Sequence, residues 1–162
     1  MLVIRGVEMN RKSSDGAPIV LAVTALTLVM AFTSSGTAAA ETYFGTQSGK
    51  VSCFTSSNDQ KVGGPAAVCQ LNAASGFPQS PGCSNGRTWQ GCNIVVANPR
   101  GQLFWDLGNI AAGPAIHPIV MSYGQTYHGD GWTLSAGSDG TRISNDATGH
   151  GVFVSIDNVY GF

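Results

Sequence analysis

Gly131-Trp132-Thr133-Leu134-Ser135-Ala136-Gly137-Ser138-Asp139-Gly140-Thr141-Arg142-Ile143-Ser144 is the stretch that decides the fold. Apolar and polar residues alternate on both sides of a Gly-Ser-Asp-Gly turn, the pattern of two half-buried strands joined tightly. With Ser138-Asp139 at the tip, Leu134 faces Ile143, and both share a face with Trp132. That face belongs to the core. Thr133, Ser135 and Arg142 fall on the other face, toward water.

The same reading extends along the chain. Candidate strands are Val51–Thr55, Ala66–Leu71, Asn93–Ala97, Gln102–Leu107, Pro118–Ser122, Gly131–Ala136, Thr141–Ser144 and Gly151–Ile156. Each is short, rich in Val, Ile, Phe or Trp, and bounded by Gly, Asn, Asp or Pro. Of the 22 glycines all but Gly6, Gly16 and Gly36 fall after residue 40, and of the 7 prolines all but Pro18. They leave no room for a long helix. The expected fold is mainly β, a small disulfide-stabilised antiparallel sandwich or barrel. Asn72–Thr88, rich in Ser, Gly, Pro and Asn, reads as a long surface loop.

The 162 residues are 43% hydrophobic and 10% charged, with 8 Lys+Arg against 9 Asp+Glu. Ordinary soluble domains carry about 25% charge. The near-neutral balance excludes a basic nucleic-acid binder. The apolar content excludes an acidic disordered tail.

The N-terminus separates by composition. Arg11 and Lys12 precede an uncharged apolar run, Ile19–Phe32, too short for a spanning helix of about 20 residues. Ala38-Ala39-Ala40 supplies small residues for cleavage before Glu41. A secretory signal peptide over 1–40, helical in its apolar part, is expected, with Met9 as an alternative start. No stable membrane span remains after cleavage. Residues 41–162 then form a single secreted β-rich domain, large enough to hold its own core.

The 4 cysteines are Cys53, Cys69, Cys83 and Cys92. An even count in an exported chain reads as two disulfides, with three pairings open. Cys53–Cys69 and Cys83–Cys92 are favoured because each closes a local loop between candidate strands. Zinc is disfavoured, since no C-x₂₋₄-C spacing occurs.

The C-terminal half carries a resemblance. It runs through Met121-Ser122-Tyr123-Gly124, Gly131-Trp132-Thr133-Leu134-Ser135, Asp139-Gly140-Thr141-Arg142-Ile143 and Asn145-Asp146-Ala147-Thr148-Gly149-His150-Gly151-Val152-Phe153-Val154-Ser155, and ends on Tyr160 and Phe162. It resembles a family of small secreted domains from mycobacteria and other actinobacteria to which no function is assigned. Ser48-Gly49-Lys50-Val51-Ser52-Cys53 is similar to that family's opening segment, with Lys50 in place of Asn and Gln47 in place of Pro. The resemblance implies a cysteine pair at the positions that Leu134 and Ile143 occupy here. The hairpin register puts those two residues opposite each other, so an apolar contact replaces a cross-strand bridge. The resemblance implies export and a compact β-rich domain. It supplies no activity, cofactor or catalytic residue.

Candidate sites are few. His117, His128 and His150 show no spacing that favours a metal, and neither metal nor cofactor is expected. His150 stands between Gly149 and Gly151, where the backbone permits close approach. It is a candidate ligand or general-base residue, and the plain alternative is a turn histidine bonded locally. A hydrolase would need a serine and an acid beside it, Asp106 for example, yet no G-x-S-x-G elbow occurs.

Aromatics are the stronger signal. Trp89, Trp105, Trp132, Tyr43, Tyr123, Tyr127 and Tyr160 are many for a small chain. On an exposed β face they would stack on sugars or seat a protein; otherwise they fill the core. Tyr123, Tyr127, His128 and Asp130 share one Gly-rich stretch and, with Trp89, form the expected binding patch. Gly129-Asp130-Gly131 reads as a turn.

The expected function is therefore a secreted, non-catalytic binding or interaction protein outside the cell or at its envelope. An envelope glycan or a secreted protein is the expected partner class. The alternatives are a small secreted hydrolase using His150 and a purely structural envelope protein.

Overall fold

A computed structural model describes residues 41–84, 86, 89–110 and 116–162, with only the main chain of Trp89. The signal peptide expected over 1–40 lies outside the described residues. The described residues form thirteen strands: β1 (Glu41–Thr46), β2 (Val51–Asp59), β3 (Gly64–Leu71), β4 (Gly82–Ser84), β5 (Trp89–Gly91), β6 (Ile94–Ala97), β7 (Leu103–Asp106), β8 (Ile119–Met121), β9 (Thr126–Gly129), β10 (Trp132–Ala136), β11 (Thr141–Asn145), β12 (Gly151–Val154) and β13 (Val159–Gly161). Among the described residues no helix is long and apolar enough to cross a membrane.

The strands build a six-stranded sheet, ordered β7-β6-β3-β2-β1-β8, and a five-stranded sheet, ordered β13-β12-β11-β10-β9. β4 and β5 pair separately. The five-stranded sheet is an antiparallel meander, because each strand follows its neighbour through a short turn. The six-stranded sheet departs from the expected all-antiparallel pairing at one edge. There β8 lies parallel to β1, with Phe44 beside Ile119. Parallel neighbours need a long connection, and nearly the whole of the first sheet separates these two strands in sequence.

The hairpin takes the expected register. Leu134 pairs with Ile143, and Gly137 N donates to Gly140 O at 2.8 Å across the two-residue tip. Trp132, Leu134 and Ile143 are buried, whereas Ser135 and Arg142 are exposed. These inward residues meet Phe44, Val51, Cys53, Cys69, Val95 and Met121 from the six-stranded sheet in one cluster. The architecture is a β sandwich with its core between two sheets.

A second cluster explains why β3 and β6 read as unbroken apolar runs. Ala66, Val68, Ile94 and Val96 point away from the sandwich core and are covered by Phe54, Val62 and Ile110. Strands buried on both faces lose alternation. Polar clamps hold the cover in place. Ile110 N donates to Gln70 Oε1 at 2.7 Å, and the Asn93 amide brackets Gly108 with two bonds.

Both favoured disulfides form. Cys53–Cys69 joins residues directly opposite in β2 and β3, with Cα atoms 4.1 Å apart. Cys83–Cys92 ties β4 to the residue after β5. The loop expected over Asn72–Thr88 is less superficial than its composition suggests. Phe77 is buried within it, and its N–H donates to Cys92 O at 3.0 Å. Gly76 makes this approach feasible, because a Cβ there would sit 2.4 Å from Gly91 O.

The Gly-rich stretch around Tyr127 and His128, where the sequence predicts no strand, likewise contains strand β9. Its turn into β10 is Asp130-Gly131, with φ of 52° and 81°. Two successive positive φ angles match the right-handed twist of a hairpin, which is why Asp-Gly suits the position.

Candidate functional site

Strand pairing brings five outward residues of the five-stranded sheet into one row. Thr126 neighbours Ser135, Ser135 neighbours Arg142, Arg142 neighbours Phe153, and Phe153 neighbours Tyr160. At about 4.8 Å per strand step the row spans roughly 19 Å. The rings of Phe153 and Tyr160 stack at 5.1 Å with 21° between their planes. Tyr160 is 51% exposed. The Arg142 guanidinium carbon lies 3.3 Å from the centre of the Phe162 ring, a cation–π contact that fixes its plane. A Cβ on Gly140 would stand 2.4 Å from Phe153 Cζ, so the glycine lets that ring lie over the hairpin tip. A shallow depression of about 370 Å³ runs along this row, bordered by Gln125, Asp139 and Arg142.

The turns at one pole of the sandwich form a second depression, of about 250 Å³. The β1–β2, β10–β11 and β12–β13 turns contribute Lys50, Asp139 and Asp157, and Tyr123 lines it from the β8–β9 turn. A third, of about 360 Å³, lies beyond Lys50 and Ile156 against Asn72, Gly76 and Pro78. Turn residues supply the charge here because the strands leading to them spend their inward positions on the core.

The residues singled out from the sequence do not form one patch. Tyr123, 45% exposed, lines the depression at the pole. Tyr127 is half-buried: its ring meets Phe44 edge-on at 6.4 Å, and its hydroxyl accepts from Ser122 N at 2.8 Å. Asp130 sits at the other end of β9, where its carboxylate accepts from the buried Thr55 hydroxyl at 2.9 Å. His128 is exposed. The Thr133 hydroxyl donates to Asp146 Oδ1 at 2.6 Å, so at its 2.9 Å contact it accepts from His128 Nδ1–H. Trp89 stands opposite Ser84 in the small hairpin.

His150 occupies the β11–β12 turn at the pole away from Lys50. Its main chain carries the local bonds: its carbonyl accepts from Asn145 N and its N–H donates to Thr148 Oγ1. The ring is exposed and makes no hydrogen bond among the described residues. Asp106 is engaged elsewhere. Its hydrogen bond from Lys61, on the six-stranded sheet, holds its carboxyl below the usual carboxylate range. Among the described residues no group of three or more His, Cys, Asp or Glu side chains is placed to hold a metal.

Sequence reasoning missed Phe153, Arg142, Lys50 and Asp157 as site residues. The available signal was alternation in β12 and β13, which puts Phe153 and Tyr160 on the polar face of a sheet whose other face carries Val152, Val154 and Val159. No family model, curated protein or solved structure matches the chain.

Proposed function

We propose that this is an exported, non-catalytic binding module that holds a glycan of the cell envelope on the outer face of its five-stranded sheet. The observation that carries the reading is the stack of half-buried Phe153 on exposed Tyr160 beside Arg142. Sugar rings present C–H faces to aromatic planes, and a guanidinium and hydroxyls at the edge of such a plane bond the sugar's own hydroxyls. The two disulfides are consistent with an extracellular or envelope location. The leader pattern of residues 1–40 and the resemblance to secreted actinobacterial domains support export on the same side of the argument. A secreted protein is the other partner class, and it would need a broader apolar face than this ringed row provides.

Co-sedimentation with insoluble cell-wall polysaccharide tests the reading. Tyr160→Ala and Phe153→Ala should each raise the Kd from the binding isotherm at least about tenfold, the equivalent of ~1.4 kcal/mol. His150→Ala should leave it unchanged. Binding that survives both aromatic substitutions overturns the assignment. Release of soluble sugar that depends on His150 would replace it with the hydrolase reading.

A further inference from the structure

We propose that the ligand is an uncharged polysaccharide held as an extended chain, along a track that leaves the aromatic row, crosses the hairpin tip and ends beyond Lys50. The proposal rests on the glycan reading above and specifies its substrate.

Continuity comes from shared walls. The depression under Phe153 and Tyr160 and the depression at the pole both use Gly137, Asp139 and Gly140. The pole depression and the third both use Lys50 and Ile156. One ends where the next begins. Of their volumes, about 250, 360 and 370 Å³, the first falls below and the other two sit at the small end of the ~300–1,000 Å³ typical of ligand pockets. All three lie open in series, a shape that fits several linked units better than one compact molecule.

The charge pattern selects the kind of chain. Arg142, Asp139, Lys50 and Asp157 line the track, two cations and two anions. None of the four side chains makes an ion pair among the described residues, where the salt bridge is Lys61–Asp106. Nor does any of them spend a side-chain hydrogen bond there. The track thus offers free donors and free acceptors with no net charge. A polyanion would gain from Lys50 and Arg142 what it lost to Asp139 and Asp157. A neutral polyol gains from all four, since each hydroxyl both donates and accepts. The aromatic row anchors one end by stacking, and the exposed Ile156 and Tyr123 give apolar contact along the way.

The test is calorimetric titration of the oxidised protein with neutral glucan, mannan and arabinogalactan oligosaccharides, from dimers to decamers. Polygalacturonate oligomers of matched length are the charged comparison. At least one neutral series should bind with affinity that rises at least about tenfold from dimer to plateau, as successive subsites fill. Lys50→Ala/Asp157→Ala should erase most of that rise and leave dimer binding intact. Tyr160→Ala should weaken every length. Raising salt should change little. Thermal melts of the variants confirm that these exposed substitutions leave the fold intact.

Two outcomes overturn the track while sparing the glycan reading. One is affinity independent of length. The other is an unchanged decamer in Lys50→Ala/Asp157→Ala while Tyr160→Ala abolishes binding. Preference for polygalacturonate with steep salt dependence overturns neutrality. Failure of every sugar to bind overturns both.

Discussion

Removing the carboxylate of Asp130 tests how the two sheets are tied to each other. Thr55 lies on the inner face of β2 with no exposure, and its hydroxyl donates to Asp130 Oδ2 at 2.9 Å. Asp130 itself occupies a left-handed backbone position, φ 52°, in the β9–β10 turn. Asp130→Ala therefore costs twice. The orphaned buried hydroxyl costs ~1–3 kcal/mol, and an alanine at that backbone angle costs ~1–2 kcal/mol, so ~2–5 kcal/mol is expected in all. Asp130→Gly relieves the backbone and isolates the lost bond at ~1–3 kcal/mol. Asp130→Asn keeps an acceptor and tolerates the turn, so it should cost ~1 kcal/mol or less. The bond itself is read from a double-mutant cycle in guanidinium melts of the oxidised protein. In a Thr55→Val background, which removes the donor, Asp130→Gly should cost close to nothing. If Asp130→Gly costs the same with Thr55 and with Val at that position, the contact carries no stability and the tie lies elsewhere.

Further outcomes follow from other contacts. Leu134→Cys/Ile143→Cys should form a third disulfide spontaneously in air, because pairing alternates away from the bonded Gly137–Gly140 pair and leaves 134 and 143 as a close non-bonded pair; intact mass under non-reducing conditions reads it, and persistent free thiols would refute the register. Burial, and then the hydrogen bond to Glu41 and its charge, push the Tyr43 phenol up to about 12 from 10.0. Its contribution to stability is thus whole below pH 10 and fades as pH climbs toward 12, and in an absorbance titration Glu41→Gln should bring the Tyr43 midpoint down. The Lys61–Asp106 pair lowers the Asp106 pKa below 3.8, so its contribution is present above that value and is lost as pH falls. The pair is exposed, so Lys61→Met should cost only ~0.2–1 kcal/mol in melts at neutral pH, and less in high salt. Trp132→Phe should cost well under the ~3–5 kcal/mol of a Trp→Ala change, since it removes an indole N–H that is buried without an acceptor among the described residues.

What was legible in the sequence was what local geometry decides. The β10–β11 register follows from alternation around a two-residue tip, so Leu134 and Ile143 could be paired on sight. The Cys53–Cys69 bridge is favoured among three pairings because it closes a local loop between two candidate strands, and it forms. β9 was hidden because Tyr127 and His128 sit between Gly124 and Gly129-Asp130-Gly131. Gly124 and Gly131 belong to the turns that bound the strand, and Gly129 is its last residue, so none interrupts it. β1 was missed because it begins at the expected cleavage point and contains Gly45. The aromatic row was harder still. Its Arg142–Phe153 neighbours are joined by the turn Asp146–His150, whose length leaves the pairing offset open. Lys50 and Asp157 line one depression only because the two sheets stack, and alternation within a strand says nothing about stacking.

Both cystines fall between Cys53 and Cys92, and the sheet that carries the aromatic row has none. Under tension the two layers would behave differently. A pull on the carboxyl end meets β13, bonded to β12 alone through three residue pairs, then β12, then β11, each strand peeling in turn like a zip. The amino-terminal layer shares its load through a covalent rung between β2 and β3. If the aromatic row holds a polymer, as proposed, its layer would give way first and let go of that polymer before the locked half came apart.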